Sequence, residues 1–150
     1  MGFVVEVEVR PCAEENKGRG VFALAAIPHG TLLWTPNLLT SLDAGELKQH
    51  LAAMDFESAH IYLRQGFVAP AAADRLQVNP TDDGRFVNHS RNPNCGACED
   101  PEKGSLALRD IAAGEEITCD YSGFANPEWY VDLCRLYNVV STADTALLFS

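Results

Sequence analysis

The sequence feature that most constrains this chain is the stretch from Arg85 to Cys95. After Arg85 it has the apolar pair Phe86-Val87, then the polar triplet Asn88-His89-Ser90, and then a turn at Pro93. Buried polar groups need hydrogen-bond partners, and proline restricts the backbone before and at its own position. We therefore expect this triplet to join neighbouring segments, with Pro93 fixing the turn that follows.

Two further stretches accompany this one, on either side of it in the chain. The upstream stretch, Lys17–Ala23, places Gly18-Arg19-Gly20 before an apolar strand, and the downstream stretch, Gly114–Tyr121, ends in Asp120-Tyr121. In this order, the three stretches resemble the three sequence motifs of the SET-domain protein lysine methyltransferases. The resemblance extends from Val4 to Phe124 and supplies expectations for fold, cofactor and activity.

Short strands and tight turns dominate the rest of the pattern. Alternating valines predict one half-buried strand over Phe3–Arg10. Further strands are predicted at Val21–Leu24, Thr31–Trp34, Arg75–Asn79, Ser105–Arg109 and Ile117–Tyr121. Alternating helices, which parallel βαβ units would need, are missing. These observations predict a compact, mostly β protein.

Two helices are predicted. Asp43 and Glu46 have the spacing of a capping box at a helix start, and Asn126 is expected to cap a second helix with Pro127 at its first position. The apolar faces are expected to be Leu47, Leu51 and Met54 in the first helix, and Trp129, Leu133 and Leu136 or Tyr137 in the second. The segment Ser58–Val68 has no clean period.

The resemblance implies a β-clip fold, a set of small curved sheets with a pseudoknot-like C-terminal core and a few short helices. Residues 1–124 are expected to form the SET domain, and residues 125–150 a C-terminal helix and tail that act as a lid. Many SET relatives instead carry a cysteine-rich, zinc-binding segment there. Cys95 and Cys98 form a C-x-x-C pair, but the C-terminus offers only Cys134, so no metal site is predicted.

Composition limits the class of protein. A length of 150 residues suggests one domain, and no apolar run is long enough to cross a bilayer. Without an N-terminal signal segment, and with an odd count of five cysteines, the chain is expected to work inside the cell, in a reducing compartment. The formal net charge of −10 disfavours direct nucleic-acid binding and favours basic partners, unless it only maintains solubility.

The resemblance also implies a site for S-adenosylmethionine. The residues expected to contact it are Gly18, Arg19, Gly20, Asn88, His89, Tyr121, Phe124 and Trp129. Arg19 stands where the family varies, so its side chain is given no separate role. Taken alone, a glycine pair is more often an ordinary strand-entry turn, and a lone histidine more often a hydrogen-bonded core residue. The motif context favours the cofactor reading.

The same resemblance places a catalytic tyrosine at Tyr121, where the alternative is a tyrosine that only packs in the core. Tyr62 is a second catalytic and channel candidate, and core packing is equally compatible with its position. Cys119, two residues before Tyr121, is expected to line the substrate channel. A cysteine there leaves room for more than one methyl group, so di- or trimethyllysine is the expected product.

The predicted function is a protein-lysine N-methyltransferase that uses S-adenosylmethionine and acts on a basic protein or peptide, with histones among the candidates. The alternative is a catalytically silent SET-like module that binds a basic peptide or a partner protein. Affinity for S-adenosylmethionine separates these two classes, because a silent module can have lost it.

Overall fold

The computed structural model describes residues 2–14, 18–35, 40–78, 82–99 and 103–148. Lys17, at the start of the upstream motif, and Asn79, at the end of a predicted strand, lie outside these residues. The chain divides into two compact units, each built from two separate stretches. Residues 1–38 and 81–120 form the first, here named the sheet unit. Residues 39–80 and 121–150 form the second, here named the helical unit.

Short strands are the main element of the described residues, which confirms the mostly β prediction. In chain order they are β1 (Gly2–Phe3), β2 (Val7–Pro11), β3 (Arg19–Ala23), β4 (Leu32–Thr35), β5 (Thr40–Asp43), β6 (Arg75–Val78), β7 (Asn88–His89), β8 (Cys95–Ala97), β9 (Ser105–Ala107) and β10 (Glu116–Cys119). The helices are α1 (Ala44–Ala52), α2 (Phe56–Arg64), α3 (Glu128–Leu136) and α4 (Thr142–Leu148).

The sheet unit contains two four-stranded sheets. One has the order β1-β4-β9-β8 and is antiparallel throughout. The other has the order β2-β3-β10-β7, in which only the β10–β7 pair is parallel. Burial of branched and small apolar side chains stabilises this unit, as expected for half-buried strands. The buried residues of its core are Val21, Ala23, Ile27, Leu33, Cys95, Ala107, Ile111 and Ile117.

The parallel pair joins the second and third sequence motifs. Thr118 lies opposite Asn88 and Cys119 opposite His89, and the Ser90 N–H donates to the Cys119 carbonyl at 2.9 Å. Sequence patterns alone would not have predicted this pairing, because β7 has only two residues. The contact between motifs that a pseudoknot-like core requires is therefore present in β7 and β10.

Asn94 fixes the same junction from inside. Its side chain is buried, and its amide donates to the Glu116 carbonyl at 2.8 Å and to Glu115 Oε2 at 3.1 Å. Its side-chain oxygen accepts from the Thr118 N–H at 2.9 Å. One buried amide thus satisfies backbone groups on two residues of β10, the kind of partner that buried backbone groups require.

The predicted strand Phe3–Arg10 is wrong as a single element. β1 ends at Phe3 and pairs with β4, whereas β2 begins at Val7 and pairs with β3 in the other sheet. The backbone bends between them, and the Val4 N–H donates to the Leu33 carbonyl at 2.8 Å. Alternation alone could not reveal a change of sheet, because the valines keep their period on both sides of the bend.

In the helical unit β5 pairs antiparallel with β6, and the predicted capping box lies where β5 ends and α1 begins. The Asp43 carboxylate accepts from the Glu46 N–H at 2.8 Å, and the Glu46 carboxylate accepts from the Asp43 N–H at 3.2 Å. Leu47 and Leu51 are fully buried, as predicted. The unit has its own core, with buried residues Leu47, Leu51, Ala59, Leu63, Val68, Leu76, Val78, Tyr130, Leu133 and Cys134.

Helix α2 is an element that the sequence analysis missed. Asp55 caps it by accepting from the Ser58 N–H at 2.8 Å, and it buries only Ala59 and Leu63. Two other apolar residues, Phe56 and Ile61, are 58% and 47% exposed. Because apolar residues lie on both the exposed and the buried side of α2, the sequence has no clear helical period. The capping residue Asp55 and the four-residue spacing of Ala59 and Leu63 could have indicated the helix.

Helix α3 begins one residue later than predicted. Of its predicted apolar face, Leu133 is buried and Trp129 and Tyr137 are half-buried against the core. Its N-cap is Pro127, and the Asn126 amide instead donates to Asp144 at 3.1 Å. The buried residues are Tyr130, Leu133 and Cys134, whereas Leu136 is 63% exposed. Helix α4 was not predicted. Among the described residues, no helix is both long and apolar enough to cross a membrane.

Candidate active site

The glycine loop, defined here as Gly18–Gly20, enters β3 of the sheet unit. Gly18 has a φ of 67°, and its carbonyl accepts from the Cys12 N–H at 2.8 Å. A φ of this sign favours glycine, because other residues place Cβ against the backbone there. The turn that closes this loop therefore requires glycine at position 18.

Glycine is required at position 20 for a different reason, because three side chains occupy the space where a Cβ would lie. A Cβ at this position would lie 2.6 Å from Glu116 Oε2, 2.8 Å from Cys12 Sγ and 3.1 Å from Asn88 Nδ2. The sequence analysis attributed the glycine pair to contact with a ligand. The structure adds a polar cluster of the protein itself, which fills the space beside Gly20.

Asn88 connects the three sequence motifs through its side-chain amide. This amide donates to the Arg19 carbonyl at 2.8 Å in the glycine loop and to Glu116 Oε2 at 2.9 Å in β10. The bond to a carboxylate is charge-assisted and hence stronger than a neutral one. The structure therefore brings together the predicted residues Gly20, Arg19 and Asn88, and it adds Glu116 to them.

His89 is buried beside these residues in β7, with only 2% of its side chain exposed. Burial lowers the pKa of His89 below its ordinary value of 6.5; Asp120, whose Oδ1 lies 3.8 Å from His89 Nδ1, opposes this, and Arg91 lowers the pKa further. The imidazole is therefore neutral near pH 7, in keeping with a histidine that is part of the core.

This lowered pKa predicts acid sensitivity. The unfolded chain takes up a proton at His89 more readily than the folded chain, so the associated stability is present above pH 6.5 and lost as the pH falls below it. We expect the free energy of unfolding, measured by urea denaturation, to fall as the pH drops below 6.5, and to fall less in His89→Gln. His29→Gln, at an exposed site, should keep the wild-type slope. Equal slopes in all three proteins would contradict this assignment.

Cys119 lies opposite His89 in β10 and is the predicted channel residue. Burial raises the pKa of its thiol to about 12, with Cys95 and Asp120 adding to the effect. A thiol with so high a pKa stays protonated at neutral pH, whereas nucleophilic cysteines act as thiolates. Cys119 is therefore unsuited to covalent catalysis, and its place in the substrate channel stays a prediction.

Tyr121 opens the second stretch of the helical unit, in a 3₁₀ turn over Tyr121–Gly123. Its ring centroid lies 5.6 Å from that of Phe124, and Phe124 stacks on Phe67 with centroids 4.9 Å apart. The Ala125 N–H donates to the Val68 carbonyl at 2.8 Å and fixes this pairing of segments. The sequence analysis did not single out Phe67, although it stacks on the predicted site residue Phe124.

Tyr62 and Trp129 have other contacts within the helical unit. Tyr62 packs against the core, with its ring 4.9 Å from His50, and its buried hydroxyl has no hydrogen-bond partner among the described residues. The Trp129 indole N–H donates to the Ala73 carbonyl at 3.0 Å. These placements suit the packing alternative for Tyr62, while the catalytic role of Tyr62 and the cofactor role of Trp129 stay predictions.

A comparison with known families decides the classification. The model of the SET domain matches residues 18–122, from the glycine loop to the residue after Tyr121. The chain belongs to the SET domain family. The predicted family and fold are confirmed by this match, which includes all the described motif residues between Gly18 and Tyr121.

Named relatives agree with this SET domain assignment. The Schizosaccharomyces pombe histone-lysine N-methyltransferase set5 is 32% identical over 125 residues, covering 71% of this chain and 39% of the relative. The Danio rerio N-lysine methyltransferase KMT5A-A is 31% identical over 114 residues, covering 71% of this chain and 33% of the relative. The chain thus spans less than half the length of these two curated relatives.

A solved structure supports the fold of the SET domain. A chain of ctPRC2, in an autoinhibited conformation bound to S-adenosylmethionine, superposes with a TM-score of 0.58. The sequences are 20% identical, and the superposition covers 89% of this chain and 17% of that chain. At this identity the likeness concerns the fold alone.

The cysteines of this SET domain are all free thiols. Burial raises the pKa of Cys95 to about 11, an effect opposed by a bond with Ser105 and reinforced by Cys98. Within the described ranges, no group of three or more histidine, cysteine, aspartate or glutamate side chains is arranged to hold a metal ion. The thiols of Cys95 and Cys119 are thus protonated at neutral pH.

Proposed function

We propose that this SET domain transfers methyl groups from S-adenosylmethionine to lysine side chains of a basic protein. The observation that carries the proposal is the Asn88 amide, which holds the Arg19 carbonyl and the Glu116 carboxylate in one cluster. Two relatives with names of lysine methyltransferases, and a structure of the same fold bound to S-adenosylmethionine, support it.

The glycine loop has the properties of a cofactor-binding segment. Gly18 adopts a left-handed conformation, and the absence of a Cβ at Gly20 lets other groups approach its backbone. We assign the binding of the cofactor to backbone groups of this loop and of Asn88 and His89. Because the Asn88 side-chain amide already bonds to the protein, its part in binding is to fix the loop.

When bound, S-adenosylmethionine supplies a methyl group that its sulfonium has already activated. The chain must then present a neutral amine in line with that methyl group and exclude water. A lysine of ordinary pKa, about 10.4, is neutral in about one molecule in a thousand at pH 7, a cost of roughly 4 kcal/mol. Apolar surroundings reduce this cost by lowering the pKa of the lysine.

We assign the orientation of the amine and the exclusion of water to three aromatic side chains of the helical unit, Tyr121, Phe124 and Phe67. The Tyr121 hydroxyl orients the amine, and the rings of Phe124 and Phe67 provide apolar surface beside it. The segment after residue 124 is proposed to act as a lid, as its place after the third motif implies. Tyr62 is kept as the second candidate for the catalytic hydroxyl.

The net charge of the chain indicates the kind of substrate, and its free thiols indicate the compartment. With 21 acidic and 11 basic residues, the protein attracts lysine-rich partners, and histones or other basic proteins have suitable charge. The five free thiols suit a reducing environment inside the cell. We therefore propose an intracellular basic protein as the substrate.

Cofactor binding is tested by thermal unfolding. A ligand that binds only the folded state stabilises it by about 2.7 kcal/mol at 100 times its dissociation constant, so S-adenosylmethionine should raise the melting temperature by several degrees. Asn88→Ala should lose most of this shift, because the glycine loop loses its bond at the Arg19 carbonyl. Asn92→Ala, at an exposed neighbouring position, should keep it. An unchanged wild-type melting temperature at saturating cofactor would contradict the proposal.

The product is expected to be di- or trimethyllysine, because Cys119 is small and its thiol is a weak donor. A tyrosine at this position could hold a water in the space that a further methyl group needs. Cys119→Tyr should therefore shift the products towards monomethyllysine, as measured by mass spectrometry of the modified substrate. Exclusive monomethylation by the wild-type protein, at long times and with excess cofactor, would show that another side chain closes this space.

A further inference from the structure

Cys12 belongs to the polar cluster beside Gly20, although none of the three sequence motifs includes it. Its Sγ lies 3.5 Å from Asn88 Nδ2 and 3.7 Å from Glu116 Oε2. Its backbone N–H donates to the Gly18 carbonyl at 2.8 Å, so it also closes the chain around the glycine loop. Cys12 thus contacts the glycine loop through its backbone, and the Asn88 and Glu116 side chains beside that loop through its thiol.

Each polar atom of this cluster can be assigned as a hydrogen-bond donor or acceptor. The Glu116 carboxylate accepts hydrogen bonds at Oε2 from the Asn88 amide and the Cys12 thiol. With one amide hydrogen directed to Glu116, the other is directed to the Arg19 carbonyl. The thiol therefore helps to fix the carboxylate that sets the orientation of Asn88.

We propose that Cys12 is a positioning residue, whose thiol acts through Glu116 and Asn88 to hold the glycine loop in its cofactor-binding shape. This inference rests on the proposed function for its effect on cofactor affinity. Its effect on the shape of the loop does not rest on that function, because the four groups that contact one another all belong to the protein and lie within the sheet unit.

Serine and alanine at position 12 separate this role from simple packing. Both are smaller than cysteine, but only serine keeps a donor for Glu116. If Cys12 only filled space, Cys12→Ser and Cys12→Ala would have similar defects. If its donor positions Asn88, serine restores what alanine loses. Cys12→Val, which fills the space without a donor, provides a second test in case the alanine variant does not fold.

The first measurement is the affinity for S-adenosylmethionine by titration calorimetry. We expect Cys12→Ser to bind within about twofold of the wild type and Cys12→Ala or Cys12→Val to bind about tenfold more weakly, which is the effect of one lost hydrogen bond to a charged group. Cys98→Ala, elsewhere in the sheet unit, should bind as the wild type does. Equal losses in the serine and alanine variants, or no loss in any variant, would overturn the proposal.

The second measurement is hydrogen exchange of the peptide containing Arg19 and Gly20, made without cofactor. Exchange should be faster in the alanine and valine variants than in the serine variant and the wild type, because the loop is less well held. Failure of the wild type to bind S-adenosylmethionine would overturn the proposed function, and the exchange rates would still decide the positioning role. Identical exchange in all four proteins would overturn that role even if the wild type binds.

Discussion

Tyr121→Phe is expected to lower turnover by about 100-fold or more while leaving affinity for S-adenosylmethionine close to that of the wild type. The substitution removes one hydroxyl and keeps the ring, so the contact with Phe124 at 5.6 Å should persist. A hydroxyl that orients the amine acts in the chemical step, so its loss should lower kcat much more than it changes KM.

The control for this variant is Tyr137→Phe, at a half-buried tyrosine of the same unit. It should have wild-type kinetics. Near-normal turnover in Tyr121→Phe would remove the catalytic role from Tyr121, and Tyr62→Phe would then be the variant to measure. The comparison is informative because each of these changes deletes a single oxygen atom from a tyrosine ring.

Asn94→Leu is expected to have the largest effect on stability. It leaves the Thr118 N–H and the Glu116 carbonyl without their side-chain partner at the junction of β7 and β10. Each unpaired buried group costs about 1–3 kcal/mol, which suggests a total of about 4 kcal/mol and a fall of about 10 °C in the melting temperature. Urea and thermal denaturation measure both quantities.

The exposed neighbour Asn92 provides the matched control for this substitution. Asn92→Leu changes the same residue type in the same turn, and it should alter the free energy of unfolding by less than about 0.5 kcal/mol. Similar losses in the two variants would show that the turn itself, rather than the bonds of Asn94, stabilises this junction.

The sequence was most informative where a side chain acts on its own neighbours. The capping box of Asp43 and Glu46 predicted the start of α1, because both of its bonds are local. The SET fold was predicted from the resemblance of the three motifs to that family, and not from local pattern. Asn88 bonds to Glu116 and to the Arg19 carbonyl, which joins the three motifs in the sheet unit.

The sequence was least informative where a residue's role depends on distant partners. Phe67 lies in a segment without a clean period, and only the fold places it against Phe124. Cys12 received no role in the sequence analysis, because nothing local indicates its contact with Glu116, 104 residues away. In α3 the burial of Tyr130 was missed, and of the two alternatives Leu136 and Tyr137 only Tyr137 packs against the core.

The most direct test of the central claim is methyl transfer itself. The purified protein is incubated with methyl-labelled S-adenosylmethionine and either core histones or a cell lysate, with Tyr121→Phe as the parallel control. We predict label on lysine side chains of a basic protein, found by mass spectrometry as di- or trimethyllysine, and little label with the variant. Binding of S-adenosylmethionine by the wild type without label on any protein would contradict the claim and favour a catalytically silent SET module.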